Sequence, residues 1–331
     1  MVNLAQIGIG DWGKNHLRTF SQMPGCNILM CCDKNQAVLD SVKAGYGSNI
    51  RCVTDPEEVF ADKSVDAVII ATLPDTHAKL AIRAMEKGKH VFVEKPLAMT
   101  VREGEAIKKA VLKYKKICMV GHILLYHPAV RALKDYIDSG EFGRIYYIYS
   151  TRVNLGKVRD EENALWSLTS HDISVVMYLL GQEPGSVSAK GAAYLRKNID
   201  DVVFVSLAFG NNVIANIHAS WLDPHKIRQF TVVGSKRMAV FDDMAQSGKL
   251  KIYDKGVDMV AGKPSLALRS GEVLMPNIDG TEPLKLEAME FLDCVKNNRQ
   301  PLANVDNGIE VLKILESAQR SLDRKGACIK Q

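Results

Sequence analysis

Hydrophobic and polar positions follow two different patterns along this chain, and the pattern changes near Gly121. Before that point, short runs that are apolar throughout alternate with segments whose apolar residues recur every three or four positions. The first kind of run is typical of parallel strands buried on both faces, and the second is typical of amphipathic helices. We therefore predict a doubly wound α/β domain with a parallel sheet over residues 1–121. The predicted strands are Leu4–Ile9, Asn27–Cys32, Ala67–Ala71, His90–Val93 and Ile117–Val120, and the predicted helices are Asn15–Gln22, Gln36–Ala44, Thr76–Glu86 and Arg102–Tyr114.

The remainder of the chain, residues 122–331, carries long segments in which apolar and polar residues alternate. Alternation of this kind, separated by turn-like Gly and Asn clusters, predicts antiparallel hairpins. We expect an α+β domain with a mostly antiparallel open sheet, whose closing helices could pack back on the first domain, and a surface loop at Pro264–Gly280. The predicted strands are Arg144–Arg152, Val187–Leu195, Asp201–Phe209, Val213–Trp221, Arg228–Val233, Met238–Phe241 and Leu250–Tyr253, and the predicted helices are Pro128–Asp138, His171–Leu180, Leu286–Val295 and Gly308–Leu322.

Composition narrows the class of protein. With 331 residues, 47% of them apolar and 24% charged, the chain resembles a two-domain globular protein. No apolar run approaches the roughly 20 residues of a membrane span, and the N-terminus lacks the features of a signal peptide, so we expect a cytoplasmic protein. The seven cysteines are scattered and predict reduced core residues. A net charge of +5 suits an anionic small molecule better than a nucleic acid.

The segment Gly8-Ile9-Gly10-Asp11-Trp12-Gly13 follows the first predicted strand and opens the first predicted helix. In this context the G-x-G-x-x-G spacing predicts a Rossmann fold that binds the pyrophosphate of a dinucleotide, with Asp11 and Trp12 beside it. Asp33 ends the second strand, where its carboxylate would accept hydrogen bonds from the ribose and repel a 2′-phosphate. We therefore expect NAD rather than NADP. The alternative is an ordinary glycine-rich turn with a surface aspartate.

Further cofactor contacts are expected where later strands of the same sheet end, because ligands bind beyond the carboxyl ends of parallel strands. Ala71-Thr72-Leu73-Pro74 follows one of these strands, and Glu94-Lys95-Pro96 follows another. For His77, in the next predicted helix, contact with the cofactor and a side chain that touches nothing are equally expected. The candidate cofactor residues from these segments are Thr72, Pro74, His77, Glu94, Lys95 and His122.

Two residues are candidates for acid–base catalysis of alcohol oxidation. Lys95 is expected at the mouth of the crevice, where burial and a positive nicotinamide would lower its pKa toward the working range. His171 begins a predicted helix, and the positive end of the helix dipole favours a neutral imidazole that accepts protons. On its own segment, His171 could equally be a capping or core residue. The other histidines do not show metal-ligand spacing, so we predict no catalytic metal.

A group of polar residues before this helix could bind a phosphate or carboxylate of the substrate. A solvated strand edge is the alternative interpretation, particularly for Lys157. Tyr126, just before the second domain's first predicted helix, is a further candidate for substrate contact. The candidate substrate residues are Tyr126, Arg152, Asn154, Arg159, Asn163, Ser167 and His171.

Taken together, these motifs resemble the glucose–fructose oxidoreductase / inositol dehydrogenase (Gfo/Idh/MocA) family of two-domain NAD(P)-dependent oxidoreductases over nearly the whole chain. The likeness rests on the glycine motif, Ala71-Thr72-x-Pro74-x-x-x-His77, Glu94-Lys95-Pro96 and His171. Within the family the chain is most similar to 3-dehydrogenases of UDP-N-acetylglucosamine and its uronate. The segments that carry this closer likeness are 10–16, 163–166, 171–174 with 178–181, and 220–224.

The resemblance implies that Lys95 and His171 flank the sugar carbon that loses hydride, that Lys95 also touches the cofactor, and that a cis peptide precedes Pro96. It further implies a homodimer or homotetramer formed through the second-domain sheet. Many family members have an aspartate where this chain has Ser167, which puts a proton relay through that position in doubt. The expected activity is oxidation of the 3-hydroxyl of a UDP-linked N-acetylamino sugar or its uronate for surface polysaccharides. The alternatives are a dehydrogenase of a free sugar or polyol, an NAD-dependent glycoside hydrolase, and a non-catalytic NAD(P) sensor.

Overall fold

The computed structural model describes residues 1–47, 49–156, 158, 162–259 and 266–331 of the chain. These residues form two compact units, the first of residues 1–126 and 281–312 and the second of residues 127–280 and 313–331. The strands are β1 (Val2–Ile7), β2 (Cys26–Cys32), β3 (Arg51–Val53), β4 (Ala67–Ile70), β5 (His90–Glu94), β6 (Cys118–Gly121), β7 (Ile145–Val153), β8 (Ser186–Ala192), β9 (Val202–Ala208), β10 (Ile214–Ser220), β11 (Ile227–Gly234), β12 (Met238–Asp242), β13 (Leu250–Met259), β14 (Leu266–Leu274) and β15 (Ile329–Lys330). The α-helices are α1 (Gly13–Ser21), α2 (Gln36–Tyr46), α3 (Pro56–Ala61), α4 (Pro74–Glu86), α5 (Val101–Tyr114), α6 (Pro128–Asp138), α7 (Ser170–Leu180), α8 (Pro283–Asn297) and α9 (Val305–Asp323).

The first unit contains a six-stranded parallel sheet in the order β3-β2-β1-β4-β5-β6. All four residues of β4 are buried, as expected for a strand that is covered on both faces. The strand order reverses between β1 and β4, so the carboxyl ends of these two strands border the crevice where ligands bind in such folds. The predicted doubly wound α/β domain is confirmed.

Local details of the first unit differ from the prediction. The short β3 and α3 carry too few residues for a clear hydrophobic period, and the sequence pattern did not reveal them. Helix α4 begins with Pro74 after Leu73, and neither residue supplies a side-chain cap. The helix therefore begins two residues before the predicted start at Thr76.

Helix α8 belongs to the first unit, whereas the predicted boundary assigned all of residues 122–331 to the second domain. The reason is an aromatic contact within the first unit. The ring of Phe291 on α8 lies 6.3 Å from that of Phe20 on α1 and 5.6 Å from that of Phe92 on β5, measured between centroids. All three rings are at most 1% exposed, so α8 completes the hydrophobic core beneath the parallel sheet.

The second unit contains a sheet of nine strands among the described residues, in the order β14-β13-β12-β11-β7-β10-β9-β8-β15. Its pairs are antiparallel except for β7 with β10, which confirms the mostly antiparallel sheet. Helix α7 ends at Gly181, whose φ of 63° is favourable only for glycine and a few other residues. In the described part of the chain, none of the helices combines the length and apolarity that a membrane span requires.

The predicted surface loop at Pro264–Gly280 is wrong for residues 266–274, which form β14 and pair with β13. Residues 264 and 265 lie outside the described residues. Most residues of β14 are exposed, because it is the last strand at one edge of the sheet. An edge strand with little buried surface lacks the alternation of apolar and polar positions that would predict it.

Candidate active site

The glycine-rich turn after β1 is built so that two of its glycines fit against protein backbone. Gly8 has a φ of 89°, and a Cβ atom at this position would lie 2.5 Å from the carbonyl oxygen of Ala71, which follows β4. A Cβ atom on Gly13 would overlap the carbonyl oxygen of Gly8. Gly8 therefore allows the turn to pass the end of β4, and Gly13 allows α1 to start directly against the turn.

The third glycine of the turn has a different environment. Gly10 is exposed, and within the described residues a Cβ atom there would meet no atom closer than 4 Å. Protein packing therefore does not require glycine at this position, and the backbone is open to the close approach of a ligand. The site fits a dinucleotide pyrophosphate in this respect.

The start of α1 also suits a bound anion. The N-cap residue Trp12 makes no side-chain cap hydrogen bond, and the fully described first turn of the helix has no acidic residue. No acidic side chain of the first turn therefore offsets the positive end of the helix dipole, although the N–H groups of Lys14 and Asn15 donate to the carbonyl oxygens of Gly10 and Trp12. By contrast, the cap of α5 is completed by Thr100 and Glu103. An uncapped helix that follows a glycine turn is a typical phosphate-binding site.

Gln6 is a residue of this site that sequence reasoning missed. It is completely buried in β1, and its Nε2 donates to the carbonyl oxygens of Gly8 at 3.0 Å and Gly13 at 2.7 Å. One amide thus joins both ends of the turn. The available signal was a polar residue inside the predicted strand Leu4–Ile9, which is otherwise apolar.

Asp33 lies beside the same turn, as predicted. Its Oδ2 accepts from the backbone N–H of Ile9 at 2.8 Å, and its Oδ1 accepts from that of Asn35 at 2.9 Å. The carboxylate is partly exposed and retains further lone pairs. It is therefore held at the end of β2 in the position from which the fold usually binds a ribose.

Glu94, at the end of β5, connects the glycine turn to Lys95. Its Oε1 accepts from the indole N–H of Trp12 at 2.6 Å and lies 2.5 Å from Nε2 of His16, while its Oε2 accepts from the backbone N–H of Lys95 at 3.0 Å. Burial raises the pKa of Glu94, but the hydrogen bond from His16 and the charge of Lys95 outweigh it, so the pKa lies below its ordinary value. A carboxylate held in this way fixes Trp12 and the Lys95 backbone together.

Lys95 itself is partly exposed and is followed by a cis peptide to Pro96. Among the other predicted cofactor residues of the first unit, Asp11 is exposed, and Trp12 keeps 45% of its surface accessible although its indole is bonded to Glu94. Thr72 and Pro74 are partly exposed after β4. These residues have surface that a ligand could contact.

His77 and His122 are corrected by the structure, because their side chains are buried. Both ring nitrogens of His77 face carbonyl oxygens, those of Pro96 at 2.8 Å and Thr72 at 3.2 Å, so the ring joins the segments after β4 and β5. His122 is 1% exposed, and burial lowers its pKa to about 4. Each supports the wall of the crevice and has no surface for direct contact with a cofactor.

Tyr126 is corrected for the same reason. The side chain is completely buried in the first unit, and its hydroxyl accepts a hydrogen bond from the backbone N–H of Ala303 at 3.2 Å. A buried tyrosine of this kind helps to fix the segment that precedes α9. It does not offer a surface to a substrate.

In the second unit, Arg152 on β7 forms an ion pair with Asp172 in the first turn of α7. Nε of Arg152 donates to Oδ2 of Asp172 at 2.5 Å, and the two residues are 8% and 1% exposed. Asp172 is adjacent to His171, which is partly exposed. The ion pair therefore fixes the start of α7, and with it the backbone that carries His171, to the sheet.

Arg228 lies directly opposite Arg152 in the pairing of β11 with β7, and sequence reasoning missed it. Directly opposed residues of antiparallel strands project from the same face, so the two guanidinium groups are neighbours. The pKa of Arg228 is lowered by burial and by the charge of Arg152, which outweigh the opposite effect of Asp172 and Asp243. Nη2 of Arg228 donates to Oδ1 of Asn154 at 2.6 Å, which brings this predicted substrate residue into the cluster.

The segment before α7 includes a π-helical turn, Leu165–Thr169, and Ser167 within it is buried. Asn163 accepts from the backbone N–H of Trp166 at 3.2 Å and donates to Gln319 at 3.0 Å. Its side chain thus starts the turn and ties it to α9, and because the residue remains partly exposed, its contact with a substrate stays a prediction. Arg159 and Lys157 lie outside the described residues.

The described residues contain no group of three or more His, Cys, Asp or Glu side chains arranged to hold a metal ion.

Comparison with known protein families gives a match for each unit of this architecture. Residues 2–122 match the model of the oxidoreductase family with an NAD-binding Rossmann fold, GFO_IDH_MocA, and residues 130–240 match the GFO/IDH/MocA C-terminal domain. The chain belongs to the GFO/IDH/MocA oxidoreductase family. Membership explains why the open glycine turn and the Glu94-Lys95-Pro96 segment occur at one edge of the same sheet.

Relatives within the family act on different substrates. The scyllo-inositol 2-dehydrogenase (NAD(+)) of Bacillus subtilis is 28% identical over 91% of this chain and 88% of its own length. The UDP-N-acetylglucosamine 3-dehydrogenase of Acidithiobacillus ferrooxidans is 27% identical over 92% of both chains. A solved structure of levoglucosan dehydrogenase in complex with NADH superposes with a TM-score of 0.84 and 21% identity, covering 99% of this chain and 98% of that one, and so shares the fold.

Proposed function

We propose that this protein is an NAD-dependent dehydrogenase that oxidises the 3-hydroxyl of a UDP-linked N-acetylamino sugar or of its uronate. The observation that carries the redox part of the proposal is the open backbone at Gly10, which lies next to the uncapped start of α1. Trp12, two residues later, donates a hydrogen bond to Glu94, and Glu94 also accepts one from the backbone N–H of Lys95. Those features have little purpose in a protein that does not bind a dinucleotide at this edge.

NAD is favoured over NADP by the charge and position of Asp33. Its carboxylate is fixed beside the turn by the N–H groups of Ile9 and Asn35, so it does not swing away to admit a 2′-phosphate. A phosphate placed next to this carboxylate would experience like-charge repulsion.

In the proposed reaction, the bound nicotinamide supplies the hydride acceptor, and the protein's own residues must manage the hydroxyl proton. Lys95 would hydrogen-bond the alcohol oxygen and favour its loss of a proton. His171 would act as the base, since its place in the first turn of α7 favours the neutral imidazole. The ion pair of Arg152 with Asp172 would keep the backbone of His171 in position.

A charged substrate is supported by the Arg152 and Arg228 pair. Among the described residues the two neighbouring guanidinium groups have one direct carboxylate contact, the ion pair of Arg152 with Asp172, and the structure gives Arg152 no hydrogen bond there besides that from Nε. Its terminal amino groups can therefore donate to an anion. The similarity to UDP-N-acetylglucosamine 3-dehydrogenase supports the same substrate class.

A dehydrogenase of a free polyol is the second candidate, favoured by a comparable similarity to scyllo-inositol 2-dehydrogenase. The deciding experiment measures NADH formation by the purified protein with UDP-N-acetylglucosamine, its uronate, inositols and glucose, each with NAD and with NADP. We expect turnover with a UDP-sugar and NAD. Turnover with inositols alone would overturn the nucleotide-sugar assignment, and stoichiometric accumulation of NADH would exclude a hydrolase that oxidises its substrate only transiently.

A further inference from the structure

Three elements of the first unit present two layers of side chains to one another. In each element, a phenylalanine shares one face with a titratable residue. The titratable residue lies four positions before the phenylalanine in a helix and two positions after it in a strand. The aromatic layer consists of Phe20, Phe92 and Phe291. The next layer consists of His16, Glu94 and Glu287, which we call the polar triad. The pairs are Phe20 with His16 on α1, Phe92 with Glu94 on β5, and Phe291 with Glu287 on α8.

Glu94 has the contacts of an ionised member of the polar triad. It receives hydrogen bonds from the indole of Trp12 and the backbone of Lys95, and it lies against Nε2 of His16. Three polar partners satisfy a buried carboxylate well, because each stabilises the negative charge.

Glu287 has the opposite environment. It is 1% exposed, and neither of its carboxyl oxygens has a hydrogen-bond partner among the described residues. Burial, followed by the charge of Glu94, raises the pKa of Glu287 well above its ordinary value. An unpaired charge in such a place would be strongly destabilised, which favours the neutral carboxyl group with a proton to donate.

The groups around the polar triad include acceptors for this proton. Nδ1 of His16 is buried without a partner in the described structure, and so are both ring nitrogens of His122, which follows β6. Oε1 of the buried Gln6 on β1 is also without a partner among the described residues. When Nε2 of His16 donates to Glu94, its Nδ1 carries a lone pair that accepts a hydrogen bond.

We propose that Glu287 is a positioning residue that remains protonated at neutral pH and donates through one buried water to the ring of His16, leaving Glu94 as the single anion of the polar triad. This arrangement keeps the negative charge of Glu94 on the indole of Trp12 and the backbone of Lys95. Protonation of Glu287 is independent of the proposed function, whereas its effect on the cofactor site rests on that function.

The first test compares the pH dependence of thermal unfolding of wild type and Glu287→Gln by calorimetry. A group whose folded pKa is raised stabilises fully below its unfolded pKa of about 4.3, and this contribution is lost as pH rises through the folded pKa. Glutamine does not ionise, so the Tm of the variant relative to wild type should rise by roughly 2–4 °C or more between pH 4 and pH 8.5. The exposed Glu272→Gln is the control and should show no such rise. A Tm difference that stays constant with pH, or falls as pH rises, would overturn the proposal.

The second test can be decided on the wild-type protein alone, and two variants assign the signal. Infrared spectra of the wild-type protein at neutral pH should show the carbonyl band of a buried protonated carboxylic acid. The band should disappear in Glu287→Gln and persist in Glu272→Gln. Absence of the band in wild type would show that Glu287 is ionised and would contradict the proposal even if the variants were unstable.

The third test addresses positioning through NADH titrations. Glu287→Gln keeps a hydrogen-bond donor and should bind NADH within about threefold of wild type, whereas Glu287→Leu should bind roughly tenfold more weakly because one hydrogen bond is lost. Equal affinity of the two variants would refute the positioning role. If neither wild type nor variants bind NADH, the proposed function fails, but the calorimetric and infrared results still decide the protonation of Glu287.

Discussion

The carboxyl edge of the six-stranded sheet and the arginine cluster of the nine-stranded sheet are both candidate ligand sites, but they are constructed differently. At the first, the main features are backbone groups: the turn at Gly8, Gly10 and Gly13, and the start of α1. At the second, the main features are side chains from three separate elements, namely Arg152 on β7, Arg228 on β11 and Asp172 on α7.

This difference determines what each site tolerates. A backbone site depends on positions where a side chain would collide with protein or ligand, so its residues are sensitive to size. A side-chain cluster depends on balanced charge in a buried environment, so its residues are sensitive to the loss of one partner. The predictions below test these two kinds of dependence, in order of decreasing effect.

The largest effect is expected for Lys95→Ala, which removes a reacting group and leaves the backbone site intact. Turnover should fall by about 10²- to 10⁴-fold, the usual contribution of a positioned acid or base, while the dissociation constant for NADH changes little. Steady-state kinetics and NADH titration measure the two quantities. Lys87→Ala, at an exposed lysine of the same unit, is the control. Undiminished turnover in Lys95→Ala would exclude this role.

Asp172→Asn tests whether the arginine cluster depends on charge balance. Breaking a buried ion pair on one side leaves an uncompensated guanidinium group, which we expect to lower the free energy of unfolding by about 3–5 kcal/mol. Glu57→Gln, which weakens the exposed ion pair with Arg83, should lower the free energy of unfolding far less, because solvent screens exposed charges. Denaturant unfolding provides both values. A similar cost for the two variants would mean that Asp172 and Arg152 are not coupled as described.

Asp33→Asn asks whether charge also matters at the backbone site. The amide oxygen can still accept one of the two backbone hydrogen bonds, but it no longer repels a phosphate. The preference for NAD over NADP, measured as the ratio of kcat/KM values, should fall roughly tenfold, which corresponds to about 1.4 kcal/mol. A ratio equal to that of wild type would indicate that another group selects the cofactor.

The smallest effect is expected at the periphery of the arginine cluster, for Asp243→Asn. The hydrogen bond with His127 holds the pKa of Asp243 below its usual range, and Lys249 adds to this against the effect of burial. A depressed folded pKa contributes stability above the unfolded pKa of about 3.9, and this stability is lost as pH falls. The variant should be less stable by about 1 kcal/mol at pH 7, with the difference vanishing at acid pH. A difference that increases at acid pH would contradict the assignment.

The contrast between a site built from one local motif and a site built from separate elements explains which features the sequence could predict. The glycine turn, Asp33 and the strand ends are encoded by local spacing, so their places in the first unit could be read from motifs. The burial of Tyr126, His77 and His122 could not, because it depends on contacts with residues such as Ala303 that are far apart in the chain. The pairing of Arg228 with Arg152 is likewise set by strand register. Glu287 gave no signal at all, since a glutamate in an amphipathic helix is ordinarily exposed.

The most direct test of the central claim, that the glycine turn holds the cofactor, is Gly10→Ala measured by NADH titration together with thermal unfolding. Among the described residues, a methyl group at this position meets no protein atom, so the Tm should stay close to that of wild type. The control Gly45→Ala, another position with open space, lies in α2, where alanine is favoured over glycine, so its Tm should rise slightly while its affinity for NADH stays unchanged. In Gly10→Ala, the dissociation constant for NADH should rise at least tenfold, roughly, because the methyl group occupies the space of the pyrophosphate. Unchanged affinity for NADH with an unchanged Tm would contradict the account.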